Sequence, residues 1–315
     1  MASLSQNLPP IKHDFADVPF EKQAQELVAI IKQHRFDEAE SILDRHIRER
    51  TSSRGGNLYP ASVINSIFSN DDIEIIRDAE FMHAVERWIH DSPSSSLAHL
   101  FRSKIFYQLA WNAREHQASS ESSEKENKRF LAALKVSASS LYQAYNIEPD
   151  NPLILLDLLQ LGRNFKVPHE AFDSVFNQLT ENYPFLTRAY VEKALYLAPQ
   201  WNGSREELLK FVRESMEKAP RSSNMPMVVI EAHNALAEVS NTKYTQRNDV
   251  WADIEYSYTR LMHDFPEAGL YPAYLAKEAH NASKEDVARK YINIALSREP
   301  RNLEILKIKS TIDGI

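Results

Sequence analysis

His83, Glu86 and His90, in the stretch FMHAVERWIHD, are side chains of the types that ligate zinc. On a helix His83 and His90, seven residues apart, share a face with Glu86 between them. Helical ligands converge best at i, i+3 or i, i+4, so the spacing is poor, and partly buried or surface histidines are the ordinary reading. No HExxH is present, because His169-Glu170 lacks the second histidine. The run Asn70-Asp71-Asp72-Ile73-Glu74 offers oxygen ligands for Ca²⁺, but without the alternation and turn glycine of an EF-hand loop. Acids in the first turn of a helix, where they complement its dipole, account for it. Asp and Glu are abundant, yet no spacing selects a pair for acid–base catalysis. The absence of cysteine excludes disulfides, thiolate catalysis and Cys-based zinc sites. The six glycines, at 55, 56, 162, 203, 269 and 314, build no GxGxxG, GxxxxGK or GxSxG. These patterns predict no catalytic, cofactor or metal site.

The least anonymous stretch is LAPQWNGSREELLKF, residues 197–211. It predicts a joint: Pro199 ends one helix, Gly203 supplies a positive φ, Ser204 caps the next helix and Glu207 completes a capping box. Trp201 then covers the joint. The functional alternative puts Trp201 and Asn202 in a ligand cleft at a helix N-terminus. The structural account is preferred because one mechanism explains every residue. Asn202-Gly-Ser and Asn281-Ala-Ser fit a glycosylation sequon, read as chance in a chain without a visible signal peptide.

The formal charge of −7, with both signs interspersed, argues against nucleic acid and anionic membranes as partners. MASLSQNLPPIKHDF shows no basic-then-apolar secretory pattern, and no apolar run approaches a membrane span. A cytoplasmic protein is expected, as a monomer or weak homo-oligomer.

The elements that position these residues are helices. Ala24, Leu27, Val28 and Ile31 share one face over 21–33; Phe36, Ala39, Leu43 and Ile47 do so over 36–50. No alternating strand is found, and only 57–68 leaves room for short extended pieces. Asn151-Pro152 reads as N-cap and first helical residue, Pro168 suits a first turn, and Ser283 with Asp286 reads as a capping-box start. Prolines 149, 184, 199, 220, 266 and 300 sit where helices should end. Residues 51–60 and the polar stretch 117–128 read as loops, the second joining helices 97–115 and 129–147. Some 13 to 15 helices are expected.

YPAYLAKEAHNASKEDVARKYINIALSREPRN resembles a tetratricopeptide repeat, with Leu275, Ala276, Ala288, Ile292 and Ala295 at the packing positions. Pro272 and Ala279 depart from the family's Trp and Tyr. Residues 34–46 and 137–152 match half a repeat, and the spacings Pro149 to Pro184 and Pro266 to Pro300 lie near the family's period of about 34 residues. A second resemblance rests on Trp201-Asn202-Gly203-Ser204, on Ala110-Trp111-Asn112-Ala113-Arg114 and on the helix ending Ala144 to Pro149. Over 75–230 these look like a bacterial domain family of unknown function with a Pro-x-Trp-Gly-Gly-Ser turn. That resemblance implies a helical fold and no activity.

The expected fold is all-α, antiparallel helix pairs stacked as a TPR-like α-solenoid. Its expected divisions are 1–68 (hairpin and loop), 69–244 (degenerate repeats with the turn) and 245–315 (TPR-like repeats). Such an array binds partners along a concave face, with Tyr and Arg as anchors. The candidate partner-binding residues are Arg102, Tyr107, Trp111, Arg114, Arg188, Tyr190, Trp201, Asn202, Tyr256 and Arg260. The function expected is non-catalytic: a scaffold or adaptor holding a protein partner. The alternatives are an immunity or regulatory protein that neutralises one toxin or enzyme, and a helical hydrolase.

Overall fold

A computed structural model describes residues 20–52, 56–68, 74–115, 123–240 and 243–314. Among them are sixteen α-helices and no strand; the sole extended pairing there is an isolated antiparallel bridge between Ser52 and Leu58. The chain divides into two compact units at Pro184/Phe185, inside the segment 69–244 that the repeat pattern had grouped.

The first unit holds α1 (Phe20–Lys32), α2 (Phe36–Arg48), α3 (Tyr59–Ile67), the one-turn α4 (Glu74–Arg77) and α5 (Ala79–Asp91). Then come α6 (Ser96–Glu115), α7 (Ser123–Ile147), α8 (Pro152–Asn164) and α9 (His169–Asn182). Most successive helices pack on one another, α6 on α7 most extensively, while α3 packs on α1 and α2. The expected apolar stripes are the buried ones: Leu27, Ile31, Ala39 and Leu43 are fully enclosed. Trp88 stacks on Phe36 at 5.4 Å and donates its Nε1–H to Glu40 Oε1 at 3.0 Å, so the indole's polar atom is satisfied. Residues 59–67, where extended backbone had room, are helical. Pro60 starts α3, and Val63, Ile64 and Ile67 form one buried face.

The polar stretch 117–128 is only partly a loop. Residues 117–122 lie outside the described residues, but 123–128 are the start of α7, with Glu124 and Glu126 near its N-terminus and Lys128 paired to Glu124 at 2.7 Å. Such i, i+4 pairs let a wholly polar segment stay helical, a state that polarity alone does not distinguish from coil. Residues 70–73 of the acidic run also lie outside the description; Glu74 opens α4.

The second unit holds α10 (Thr187–Tyr196), α11 (Arg205–Lys218), α12 (Pro226–Glu238), a 3₁₀ turn (Tyr244–Gln246), α13 (Asn248–Asp264), α14 (Leu270–Asn281), α15 (Glu285–Arg298) and α16 (Leu303–Asp313). Each packs on its neighbour in sequence, and α10 also meets α12 as α14 meets α16. Leu275, Ala276, Ala288, Ile292 and Ala295 are all buried.

Two kinds of joint recur. At the ends of α1, α8 and α14 a Schellman closure is made by non-glycine residues: His34, Lys166 and Ser283 have φ of 60°, 50° and 59°. Ser283 is therefore not the cap expected of it: it occupies the left-handed position and Lys284 precedes α15. A left-handed conformation costs about 1–2 kcal/mol per L-residue; here it is held by paired backbone bonds such as Lys284 N–H to Ala279 O at 2.8 Å. The other joint is Glu-Pro-x-Asn. Asn151 caps α8 and donates its amide to Glu148 Oε2 at 2.9 Å; Asn302 caps α16 and donates to Glu299 Oε2 at 2.6 Å. Each glutamate also accepts a bond from the start of the preceding hairpin, Ser96 Oγ at 2.6 Å and Gly269 N at 2.6 Å. One four-residue device thus ends a hairpin, starts the next helix and ties both to the hairpin's first helix.

Candidate functional site

The turn between α10 and α11 is a built joint. The Ser204 hydroxyl accepts from Glu207 N at 3.2 Å, so the cap stands as expected; the Glu207 carboxylate, however, accepts the Ser204 O–H at 2.9 Å rather than its backbone N–H, so the reciprocal bond of the expected capping box is not made. Backbone bonds from Trp201 N to Ala198 O (2.9 Å) and from Asn202 N to Tyr196 O (3.1 Å) wind the turn onto the end of α10. The role expected of Gly203 is corrected: its φ is not positive. Glycine is needed there because a Cβ would meet Leu197 O at 2.3 Å and Leu197 C at 2.8 Å. Close approach of two backbone segments, not a special dihedral, explains it.

The structure scatters the other candidates. In the first unit, Arg102 pairs with Glu86 (2.7 Å), donates to Ser140 Oγ (3.3 Å) and lies over Phe106. The Tyr107 hydroxyl accepts from Asn164 Nδ2 at 3.3 Å, and Trp111 packs edge-on against Phe130 at 5.6 Å. These three are partly buried among core contacts. The side chain of Arg114 lies outside the described residues. In the second unit Tyr190 is stacked between Phe185 and Phe211 at 6.2 and 5.9 Å. Arg260 donates to the carbonyls of Met216, Ala219 and Pro220 at 3.0–3.1 Å, which closes the C-terminus of α11. Tyr256 is largely exposed on α13. Arg188, on α10, pairs with the buried Glu192 at 2.7 Å.

Among the described residues no three His, Cys, Asp or Glu side chains are placed to hold a metal ion. His90 is exposed beside Asp91. A partly buried polar chain centred on the buried His233 is structural in form. His233 faces Tyr244 Oη from Nδ1 at 2.9 Å and Asp253 Oδ2 from Nε2 at 3.1 Å, and Arg213 holds the same carboxylate at 2.7 Å. Burial lowers the His233 pKa, partly opposed by Asp253. This chain ties α11, α12, the 3₁₀ turn and α13 together. A shallow open groove along α11 contains Arg205, Lys210 and Arg213, but Arg213 is engaged by Asp253 and Arg205 lies near Asp249.

Arg188 belongs to a row that residue types alone did not reveal. Its charge reaches Glu231 on α12; the Glu231 charge reaches Glu278 on α14; Tyr274 on α14 lies in the field of Glu304 on α16. The row therefore runs across alternate helices, α10, α12, α14 and α16. A signal in the sequence marks its centre: Glu231-Ala232-His233-Asn234 and Glu278-Ala279-His280-Asn281 are the same tetrapeptide. In both copies the glutamate is half-buried and the histidine two residues on turns away, His233 to Asp253 and His280 to Glu285.

Burial raises the pKa of both glutamates above the ordinary 4.5, and a side-chain amide one turn on, Asn234 or Asn281, partly offsets this. Between 4.5 and the raised folded values the unfolded chain is ionised while the folded chain still holds protons, so this pair makes stability fall as pH rises through that window. Glu231→Gln/Glu278→Gln is accordingly expected to be more stable than wild type at pH 7.5, with the gain shrinking towards pH 4.5. Urea unfolding at the two pH values measures it; a gain that grew on acidification would contradict the burial of these carboxyls.

No helix among the described residues is long and apolar enough to cross a membrane. No curated protein matches the sequence. A family pattern described as a domain of unknown function, DUF4034, matches residues 23–188. The match begins and ends earlier than the 75–230 suggested by the short motifs. It contains Ala110 to Arg114 and Ala144 to Pro149 and stops before the Trp201 turn, which is thus not part of what is matched. Because the matched segment runs from α1 to the start of α10 and covers more than half of the sequence, the chain belongs to the DUF4034 family.

Proposed function

We propose that the second unit is a TPR-like α-solenoid and that the protein is a non-catalytic interaction module, a scaffold or adaptor, which takes a protein partner along the face shared by α10, α12, α14 and α16. In a solenoid one helix of each pair lines the concave side, and these are the first members of successive pairs. The observation that carries the reading is the row Arg188, Glu231, Glu278, Tyr274 and Glu304, whose members are in electrostatic reach from helix to helix. Charged and tyrosine side chains on a surface assembled from several helices suit a partner that spans them. Such binding is spread over several residues, whereas catalysis collapses on one change.

The test is affinity capture with the tagged full-length chain from cells that naturally make it, repeated with Glu231→Arg/Tyr274→Ala and with Arg289→Glu/Lys290→Glu on the exposed side of α15. A protein held by wild type and by the α15 variant, but reduced at least tenfold with the row variant, is the expected outcome. A protein lost only with the α15 variant, or no protein that distinguishes the variants, overturns the reading.

A further inference from the structure

We propose that His46 is a pH-sensitive latch on the joint between α2 and α3. Neutral, it closes the joint; protonated, it turns out to water. The pairing of Ser52 with Leu58 and the tie from Arg50 to α9 then open while the helices stay folded.

His46 is 5% exposed in the last turn of α2. Its Nδ1 lies 3.3 Å from Thr51 Oγ1, and its ring lies 4.5 Å from that of Tyr59, the first residue of α3. Its Nε2 is buried and has no hydrogen-bond partner among the described residues. The neutral ring fits this enclosure with Nδ1–H donated to the hydroxyl and Nε2 bare. A second proton creates an N–H at Nε2 that nothing accepts, and it places a charge between a hydroxyl and an aromatic ring.

The surrounding groups do not supply the missing acceptor. Burial is the largest influence and lowers the His46 pKa below the ordinary 6.5; Arg45 lowers it further and Glu49 opposes this, both exposed on α2. Asp44, two residues before His46, points to another side of α2, and Glu40 is engaged by Trp88 of α5. From α3 comes the Tyr59 ring, whose hydroxyl donates to Gln23 of α1 at 3.2 Å; Glu21 and Glu26 of α1 act on that phenol. Arg50, in the joint, is turned towards α9.

The joint is built on His46. Thr51 N donates to His46 O and Arg50 N to Ile47 O, both at 3.0 Å, which holds Arg50 at a φ of 52°. An L-residue keeps such a conformation only while its surroundings enforce it. Thr51 O accepts from Tyr59 N at 2.9 Å, beside the bridge of Ser52 to Leu58. Arg50, itself 8% exposed, donates to Asn182 O at the end of α9 and lies 4.7 Å over the Tyr183 ring. Departure of His46 removes the bond to the Thr51 side chain and the packing on Tyr59. The helices have a separate hold, since Leu43, Val63, Ile64 and Ile67 belong to the apolar core and carry no titratable group. Because the latched pKa lies below 6.5, the latch is fully stabilising above 6.5 and weakens as pH falls from there towards the lowered value.

The chain has no cysteine, and Ser52 is 1% exposed, so Ser52→Cys in the full-length chain gives a single buried thiol beside the latch. Its reaction with 4,4′-dithiodipyridine is followed from pH 7.5 to 5.0, each rate divided by that of a small free thiol at the same pH. The normalised rate is expected to rise about tenfold with a midpoint below 6.5, with far-UV circular dichroism unchanged. Adding His46→Gln should abolish the rise, and adding His83→Gln, on an exposed histidine of α5, should leave it. Arg45→Gln should move the midpoint up and Glu49→Gln down, which assigns the titration to His46 even if His46→Gln does not fold. A rate independent of pH overturns the proposal, as does a rise that survives His46→Gln or a midpoint that ignores both charge variants. Loss of helix with the same midpoint also overturns it, since the device would then be general acid unfolding.

Discussion

Gly203→Ala is expected to destabilise the second unit by about 3 kcal/mol, the upper range for overpacking a closed site. The added methyl would lie 2.3 Å from Leu197 O and 2.8 Å from both Leu197 C and Cα. These are backbone atoms at the end of α10, tied by Leu197 N to Lys193 O at 3.0 Å, so they cannot swing aside as a side chain would. Relief requires the turn to open, and that breaks the bonds from Trp201 and Asn202 to the helix end. Ser204→Ala removes only the cap and should cost about 1 kcal/mol. Thermal unfolding of the two variants beside wild type is the measurement, and the order of the two losses matters as much as their size. A Gly203→Ala protein that melted like wild type but lost a partner would make the turn a binding element instead of a joint.

Asp157→Ala should destabilise the first unit by about 3 kcal/mol. Asp157 on α8 pairs with Lys104 on α6 at 2.7 Å, and the two side chains are 11% and 13% exposed. Removing the carboxylate strands an ammonium where water barely reaches, and the stranded charge is the larger part of the loss. The double replacement Lys104→Met/Asp157→Leu should recover most of it, because no uncompensated charge remains. Chemical denaturation of wild type and of single and double variants gives the coupling directly. A double variant as unstable as Asp157→Ala would mean that the pair holds α6 and α8 in register by more than its charge.

Much of the local architecture was readable in the amino acids. Leu27, Ile31 and Leu43 were placed on buried stripes because helical period is a short-range property, and Asn151-Pro152 marked the start of α8 because capping involves neighbours. The same reasoning failed at Ser283 and at 123–128. A serine that could cap instead closes the previous helix in a left-handed turn, and a polar stretch is the first turns of a long helix, with one exposed ion pair along it. In both places two local solutions compete, and packing of the flanking helices selects one.

The candidate anchors show the same limit. Arg260 and Tyr190 have the residue types of binding residues, yet Arg260 closes a helix end and Tyr190 fills an aromatic stack, because partners from other helices reach them first. The row through Glu231 and Glu278 was missed although its signal, one tetrapeptide written twice, was in plain sequence. The repeat says that two helices present the same side chains. It does not say what lies beside them, since that depends on how α13 packs on both α12 and α14.

What the amino-acid sequence determined by itself is therefore the all-helical class, the burial stripes and caps such as Asn151 and Ser204, each governed by interactions within a few residues. Tertiary structure alone decided which polar side chains are consumed in holding helices together and which are gathered on one face. That decision depends on residues tens of positions apart meeting across a helix interface, and such meetings leave no fixed spacing in the chain.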